Sequence, residues 1–267
     1  MGEMSMSERK VVFDNGAAYE RFMGRWSRAA GETFLAWMAP AKGARWLDVG
    51  CGTGVFTEQV LDTCDPGAVV AVDPSKEQIE YAQSRPVGSR AAFKVADAQA
   101  LPFTDGEFDI AAAALVINFV PDRERAVSEM KRVTRPGGLV AGYVWDFTSG
   151  LTSGAPLTTA MKSMDIVVPP IPGSKETVLD ALHEMFAQAG FSDVTSRHID
   201  IEMIYASFDD LWDSNTGFST WSQIVGKLPE VERLRLKQIV RDGTSQDSAS
   251  RISLPGRFNA VKGRVPV

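Results

Sequence analysis

The sequence predicts an α/β fold: a doubly wound, seven-stranded sheet, mostly parallel with one antiparallel strand, with an N-terminal helical flap and a helical insertion before the last strand. Three observations predict it. Short, almost continuously apolar runs alternate with helix-length amphipathic segments, the pattern of a parallel sheet covered on both faces. A glycine-rich turn, Gly50-Cys51-Gly52-Thr53-Gly54, separates the first strand-like run from the helix after it. Acidic residues close three successive strands, at Asp48, Asp73 and Asp97.

Each element has a local cause. Residues 19–38 read as a helical flap with Phe22, Trp26, Phe34, Leu35 and Met38 as apolar positions, stopped by Pro40. Residues 45–49 form the first strand and 55–61 the first helix of the core; 68–73 form the second strand. Ser75 and Gln78 have the spacing of a capping box for the next helix. Strands follow at 91–96, 108–116 and 139–145, the last two flanking a helix capped by Asp122, with Ala126, Val127, Met130 and Val133 inward and Pro136-Gly137-Gly138 as its stop. Residues 148–173, rich in Gly, Pro, Ser and Thr, predict a loop with one short helix near 158–164. Ser174 is expected to cap a helix bearing Val178, Leu182, Phe186 and Ala189, before an alternating strand at 194–203. Residues 208–242 read as two or three helices, and 252–261 as a last strand.

The 267 residues therefore read as one domain: a flap at 1–44, a core at 45–147, and the remaining sheet with its helical insertion at 148–267. Hydrophobic residues at 44% and charged residues at 23% are globular values. The formal charge of −6 argues against a broad nucleic-acid surface, and no apolar run approaches a membrane span. The two cysteines, Cys51 and Cys64, lack C-x-x-C spacing, and no secretory segment is evident, so a cytoplasmic protein is expected. His183, His198 and the acidic residues form no cluster with metal-ligand spacing, so no metal is expected.

The chemistry lies at the glycine turn. Glycines at this place let a ligand approach the backbone closely. A dinucleotide turn of the G-x-G-x-x-G kind would have a glycine where this chain has Val55, and the carboxylate of Asp48 would repel a pyrophosphate while suiting an ammonium group. Asp73, 19 residues beyond Gly54, is placed to accept from ribose hydroxyls, and Asp97-Ala98 to meet an adenine amino group. Together they describe a ligand with an ammonium, a ribose and an adenine.

At these residues the chain resembles the class I S-adenosylmethionine-dependent methyltransferases, especially the small-molecule enzymes related to the quinone-biosynthesis methyltransferases. The resembling segments are L-D-V-G-C-G-T-G at 47–54, A-V-D-P-S at 71–75, A-D-A-Q-A-L-P-F at 96–103, F-D-I-A-A-A-A-L-V-I-N-F-V-P-D at 108–122 and R-V-T-R-P-G-G-L-V at 132–140. The resemblance implies a Rossmann-like fold that binds S-adenosylmethionine and transfers its methyl group to a small organic acceptor. It implies that Asp48, Gly50 and Gly52, with Cys51 between them, line the methionine part. Asp73 would take the ribose, Pro74 an adenine face, and Asp97 and Ala98 the adenine edge. Ala114 and Leu115 would pass beneath the cofactor. The segment Y-E-R-F-M-G-R-W at 19–26 looks like a cofactor-covering flap, with Tyr19 in it and Arg25 meeting the methionine carboxylate. Asn118, Trp145 and Phe147 are the expected acceptor side. Related enzymes often carry His where this chain has Asn118 or Phe119, so no catalytic base is assigned. A non-catalytic S-adenosylmethionine-binding module and a nicotinamide-dependent oxidoreductase are the alternatives, and the oligomer is expected to be a monomer or homodimer.

Overall fold

The computed structural model describes residues 24–217 and 219–267. The expected flap residues Tyr19 and Phe22, and Phe218 of the insertion, lie outside them. The first element is α1 (Arg25–Met38), which turns its apolar stripe of Trp26, Ala30, Phe34, Leu35 and Met38 into the core. It ends where Ala39 takes a left-handed conformation and returns its N–H to the Leu35 carbonyl.

The core then alternates as the apolar pattern predicts: β1 (Arg45–Val49), α2 (Val55–Thr63), β2 (Ala68–Asp73), α3 (Lys76–Ser84) and β3 (Ala92–Val95). β4 (Phe108–Ala114), α4 (Arg123–Val133) and β5 (Thr134–Trp145) complete its first half. Ser75 Oγ accepts the Gln78 N–H at 3.2 Å and Asp122 Oδ1 accepts the Arg125 N–H at 2.9 Å, so both expected caps form. The second half comprises α5 (Ala155–Ser163), α6 (Leu179–Gln188), β6 (Ser192–Tyr205), α7 (Phe208–Thr216), α8 (Ser219–Lys227), α9 (Glu230–Asp242) and β7 (Ile252–Arg264).

The strands form one seven-stranded sheet in the order β3-β2-β1-β4-β5-β7-β6. β1 to β5 pair in parallel, whereas β7 is antiparallel to both β5 and β6. This is the Rossmann-like sheet with one reversed strand that the sequence predicts. The helices α7 to α9 occupy the connection that brings β7 back between its two neighbours.

Buried side chains divide between the faces. Trp46 of β1, Tyr143 and Trp145 of β5 and Phe258 of β7 join the stripe of α1, while Leu47, Val49, Val140 and Val144 meet α4 and α6. On the first face Tyr143 lies 4.7 Å from Phe34 and 5.9 Å from Phe258 between ring centres, and Trp145 lies 5.1 Å from Trp26 and 4.1 Å from Phe258. The indole N–H of Trp26 donates to Tyr205 Oη at 3.0 Å, which satisfies both polar atoms inside this aromatic layer.

Three local expectations need correction. β4 stops at Ala114, two residues early, because Leu115 enters the left-handed region at φ 64° and sends its N–H to the Tyr143 carbonyl. Ser174 does not cap α6: the helix starts at Leu179, and the segment before it is closed by Thr177 Oγ1 donating to the Gly173 carbonyl at 2.7 Å. β5 starts at Thr134 and takes in the Pro136-Gly137-Gly138 stop signal through a bulge opposite Phe108 and Ile110.

Replacing Trp26 by Phe removes the donor to Tyr205 and leaves a buried hydroxyl. The expected loss is about 1–3 kcal/mol. Urea unfolding should show a lower midpoint at unchanged slope; an unchanged midpoint would show that the hydrogen bond contributes nothing to stability.

Candidate functional site

The carboxyl ends of β1, β2 and β4 meet around the glycine turn, the place where open α/β sheets receive ligands. The turn reverses the chain through left-handed glycines, Gly50 at φ 74°, Gly52 at 52° and Gly54 at 81°. At Gly50 the requirement is also spatial, since a Cβ there would stand 2.4 Å from Val116 Cγ2. At Gly52 a Cβ would have nothing within 4 Å, so this peptide borders open space.

Four of the turn's five N–H groups are consumed by the protein. Gly50 and Cys51 both donate to the Val72 carbonyl, Gly54 donates to the Cys51 carbonyl, and Gly52 donates to Asp73 Oδ2 at 2.9 Å. A phosphate-cradling loop aims such donors outward. This turn instead presents carboxylates.

Asp48 sits inside the sheet, in register with Ala71 on one side and Ala112 on the other, and is 1% exposed. Its Oδ2 accepts the Thr57 hydroxyl at 2.6 Å, and its Oδ1 has no hydrogen-bond partner among the described residues. Burial pushes its pKa up to about 7; the nearby Asp73 charge adds to the rise and the Thr57 hydrogen bond opposes it. Asp73 carries a smaller rise, also from burial, opposed by the N–H groups of Ser75 on Oδ1 and Gly52 on Oδ2. The Asp73 carbonyl accepts the Ala96 N–H at 3.1 Å, which brings the segment after β3 alongside.

Of the other expected cofactor residues, Pro74 is exposed, and Asp97 is exposed with its Oδ1 accepting the Gln99 N–H at 2.8 Å. Ala98 is buried. Ala114 is half-buried at the end of β4, and Leu115, buried beside it, carries a conformation L-residues adopt at a cost. Cys51 is 7% exposed, and burial with the charges of Asp48 and Asp73 pushes its thiol well above the ordinary range, so it packs and is no nucleophile.

Two expectations change. The Arg25 guanidinium is held by Asp210 of α7 through both oxygens, at 2.9 and 3.2 Å, with Ser214 Oγ at 3.2 Å and the Tyr205 ring beneath it, so it is already committed to another carboxylate. Trp145, expected toward the acceptor, is instead clamped between Trp26 and Phe258 at 6% exposure. Phe147 is half-buried against the same layer. Asn118 does stand beyond β4: it is 1% exposed, its Nδ2 donates to the Pro172 carbonyl at 3.4 Å, and its own carbonyl accepts Arg123 Nη2 at 3.1 Å. Gly173 crosses so close that a Cβ would lie 2.2 Å from the Asn118 carbonyl oxygen. A cleft of about 360 Å³ opens between α5, the end of α9 and the start of β7, with Thr152, Pro156, Thr159, Ile239 and Leu254 among its uncharged lining residues.

Sequence reading missed Thr57 and Arg85. Thr57 is a fully buried hydroxyl one turn into α2, and its only sequence signal is a polar residue among apolar ones. Arg85 donates to the Thr53 carbonyl at 2.6 Å and pairs at 3.0 Å with Glu58, which also takes Arg28 of α1. That link between flap helix and glycine turn spans elements and leaves no local pattern.

The comparisons with known proteins bear on the family and the fold. The family described as "Methyltransferase domain" matches residues 47–142. An O-methyltransferase of Penicillium expansum is 32% identical over 203 residues, covering 73% of this chain and 67% of that protein. A Mycobacterium bovis protein without an assigned function is 38% identical over 106 residues, and there the match spans only 38% of the relative's length. Among solved structures, a Haemonchus contortus phosphoethanolamine N-methyltransferase in complex with S-adenosylmethionine has the same fold, with a TM-score of 0.61 and 17% identity over all of this chain and 61% of that one. The chain belongs to the class I S-adenosylmethionine-dependent methyltransferase superfamily.

Proposed function

We propose that the chain, acting as a single domain, transfers the methyl group of S-adenosylmethionine to a small organic acceptor and releases S-adenosylhomocysteine. The single observation that carries this reading is the polarity of the turn: four of its five N–H donors are spent inside the protein, while the buried Asp48 and the half-buried Asp73 keep spare acceptor capacity. Such a site suits a ligand bearing an ammonium and hydroxyl groups and does not suit a pyrophosphate, which disfavours a nicotinamide dinucleotide.

The residues present fit the cofactor. The unpartnered Oδ1 of Asp48 and the open space at Gly52 would accommodate the methionine portion. Each Asp73 oxygen takes one backbone N–H and keeps capacity for a ribose hydroxyl. Asp97 and Ala98 would border the base. When bound, S-adenosylmethionine supplies an electrophilic methyl on a positively charged sulfur. The protein's task is then to align an acceptor and exclude water. Asn118, locked by Pro172 and Arg123, would form the acceptor-side wall beyond β4, where the segment holding Pro172 and Gly173 crosses it. If the cleft between α5, α9 and β7 receives the acceptor, its uncharged lining suits a neutral, largely apolar one. Among the described residues no helix is long and apolar enough to cross a membrane.

Calorimetric titration should show binding of S-adenosylmethionine and S-adenosylhomocysteine, and Asp73→Ala should weaken both by roughly tenfold or more through loss of charge-assisted hydrogen bonds. Folded wild-type protein that binds neither ligand overturns the reading.

Asp48 makes a separate prediction. Its folded pKa near 7 lies above the ordinary 3.8, so the native state holds a proton that the unfolded chain has lost across that interval. Its contribution is present below about pH 4 and is lost as pH rises through 7. Asp48→Asn should therefore raise the melting temperature of ligand-free protein, relative to wild type, more at pH 8 than at pH 5. Equal differences at the two pH values would contradict the burial argument.

A further inference from the structure

The segment that follows β3, residues 96–105, has no helix or strand of its own, so its shape needs an external cause. One polar stripe of α4 supplies it. Asp122, Arg125, Glu129 and Arg132 recur at helical spacing beside the buried stripe of Ala126, Val127, Met130 and Val133. The Asp122 N–H donates to Gln99 Oε1 at 3.1 Å, and Arg125 Nε donates to the Gln99 carbonyl at 3.2 Å. Glu129 Oε2 accepts the Leu101 N–H at 2.9 Å, while Arg132 Nη2 donates to the Leu101 carbonyl at 2.9 Å. Arg132 Nη1 reaches the Phe103 carbonyl and Asp105 Oδ1, both at 2.8 Å.

Glu129 and Arg132 also lock each other, Nε to Oε1 and Nη2 to Oε2, both at 2.8 Å. The pair is a planar fork that also grips the Leu101 and Phe103 backbone and the Asp105 carboxylate of this segment. Its far end is seated by Phe103, edge-on to Phe108 with ring centres 5.0 Å apart. Its near end is tied by the Ala96 N–H to the Asp73 carbonyl. Asp97 and Ala98 thus lie in a stretch pinned on both sides by groups that touch no ligand.

We propose that Arg132 and Glu129 are positioning residues for base recognition: by gripping Leu101 and Phe103 they hold Asp97 and Ala98 in place against Asp73 and set how much the adenine contributes to cofactor binding. This rests on the cofactor reading above. A polar rail of this kind preorganises a loop whose ordering would otherwise be charged against binding.

The test compares two ligands on the full chain by calorimetry: S-adenosylhomocysteine, and S-ribosylhomocysteine, which keeps the homocysteine and ribose and lacks the base. In Arg132→Met the affinity for S-adenosylhomocysteine should fall about tenfold, the scale typical of losing a group that orients a binding residue, while that for S-ribosylhomocysteine stays within about twofold of wild type, so the ratio collapses. Arg132→Lys keeps the charge without the fork and should lower the same ratio, which keeps the question open to measurement if the Met variant does not fold. A purely structural role lowers both affinities equally; an unchanged ratio in the folded variants overturns the proposal. Wild-type protein that binds both ligands equally well overturns it while leaving the cofactor reading standing. Wild-type protein that binds neither overturns both.

Discussion

The Asp73 carboxylate joins the turns that make the site. One oxygen takes the N–H of Gly52 and the other that of Ser75, so the turn after β1 and the turn after β2 share a single side chain. Its own carbonyl then takes the N–H of Ala96, which adds the segment after β3. Remove that carboxylate and the turns after β1 and β2 lose their shared partner, while the backbone tie to Ala96 stays. The arrangement is costly, because burial and then the nearby Asp73 charge both raise the energy of an ionised Asp48. Two perturbed carboxylates clustered at one sheet edge mark a candidate ligand site.

Around this centre the protein uses cations to fasten backbone. Arg85 holds the glycine turn through the Thr53 carbonyl, Arg123 holds the Asn118 carbonyl, and Arg132 holds Leu101 and Phe103. Each guanidinium satisfies carbonyls of irregular segments that no strand or helix could pair, so the loops near the sheet's carboxyl edge are held by long side chains from neighbouring helices and turns. The region beyond β4 is built differently. There Asn118 and the crossing of Gly173 set distances by close packing.

Much of the fold was legible because its causes are local. The runs at 45–49, 68–73 and 108–114 are apolar on both faces, as buried parallel strands must be, and the caps at Ser75 and Asp122 act within one helical turn. The glycine turn and its strand-end acids were legible for the same reason. What escaped depends on distant partners. Arg25 reads as a cofactor ligand until Asp210, 185 residues away, takes its guanidinium. Trp145 reads as a pocket residue until Trp26 and Phe258 close on it. The polar stripe of α4 has no stated partner in the sequence, because nothing in 122–132 announces that residues 99–105 lie along it. The strand start at Thr134 hides behind a proline and two glycines that locally signal a stop.

The fastening of α1 also bears on how the chain is made. Trp26 bonds Tyr205 across 179 residues and Arg25 reaches Asp210 across 185. Synthesis runs from the amino end, so α1 leaves the ribosome while its partners on β6 and α7 do not yet exist. The end of α1 that carries Arg25 and Trp26 has to wait for these partners, while Phe34 farther along packs on Phe56 and Tyr143, which are made earlier. Only that end of the helix depends on the distal half of the protein, through bonds of high sequence separation.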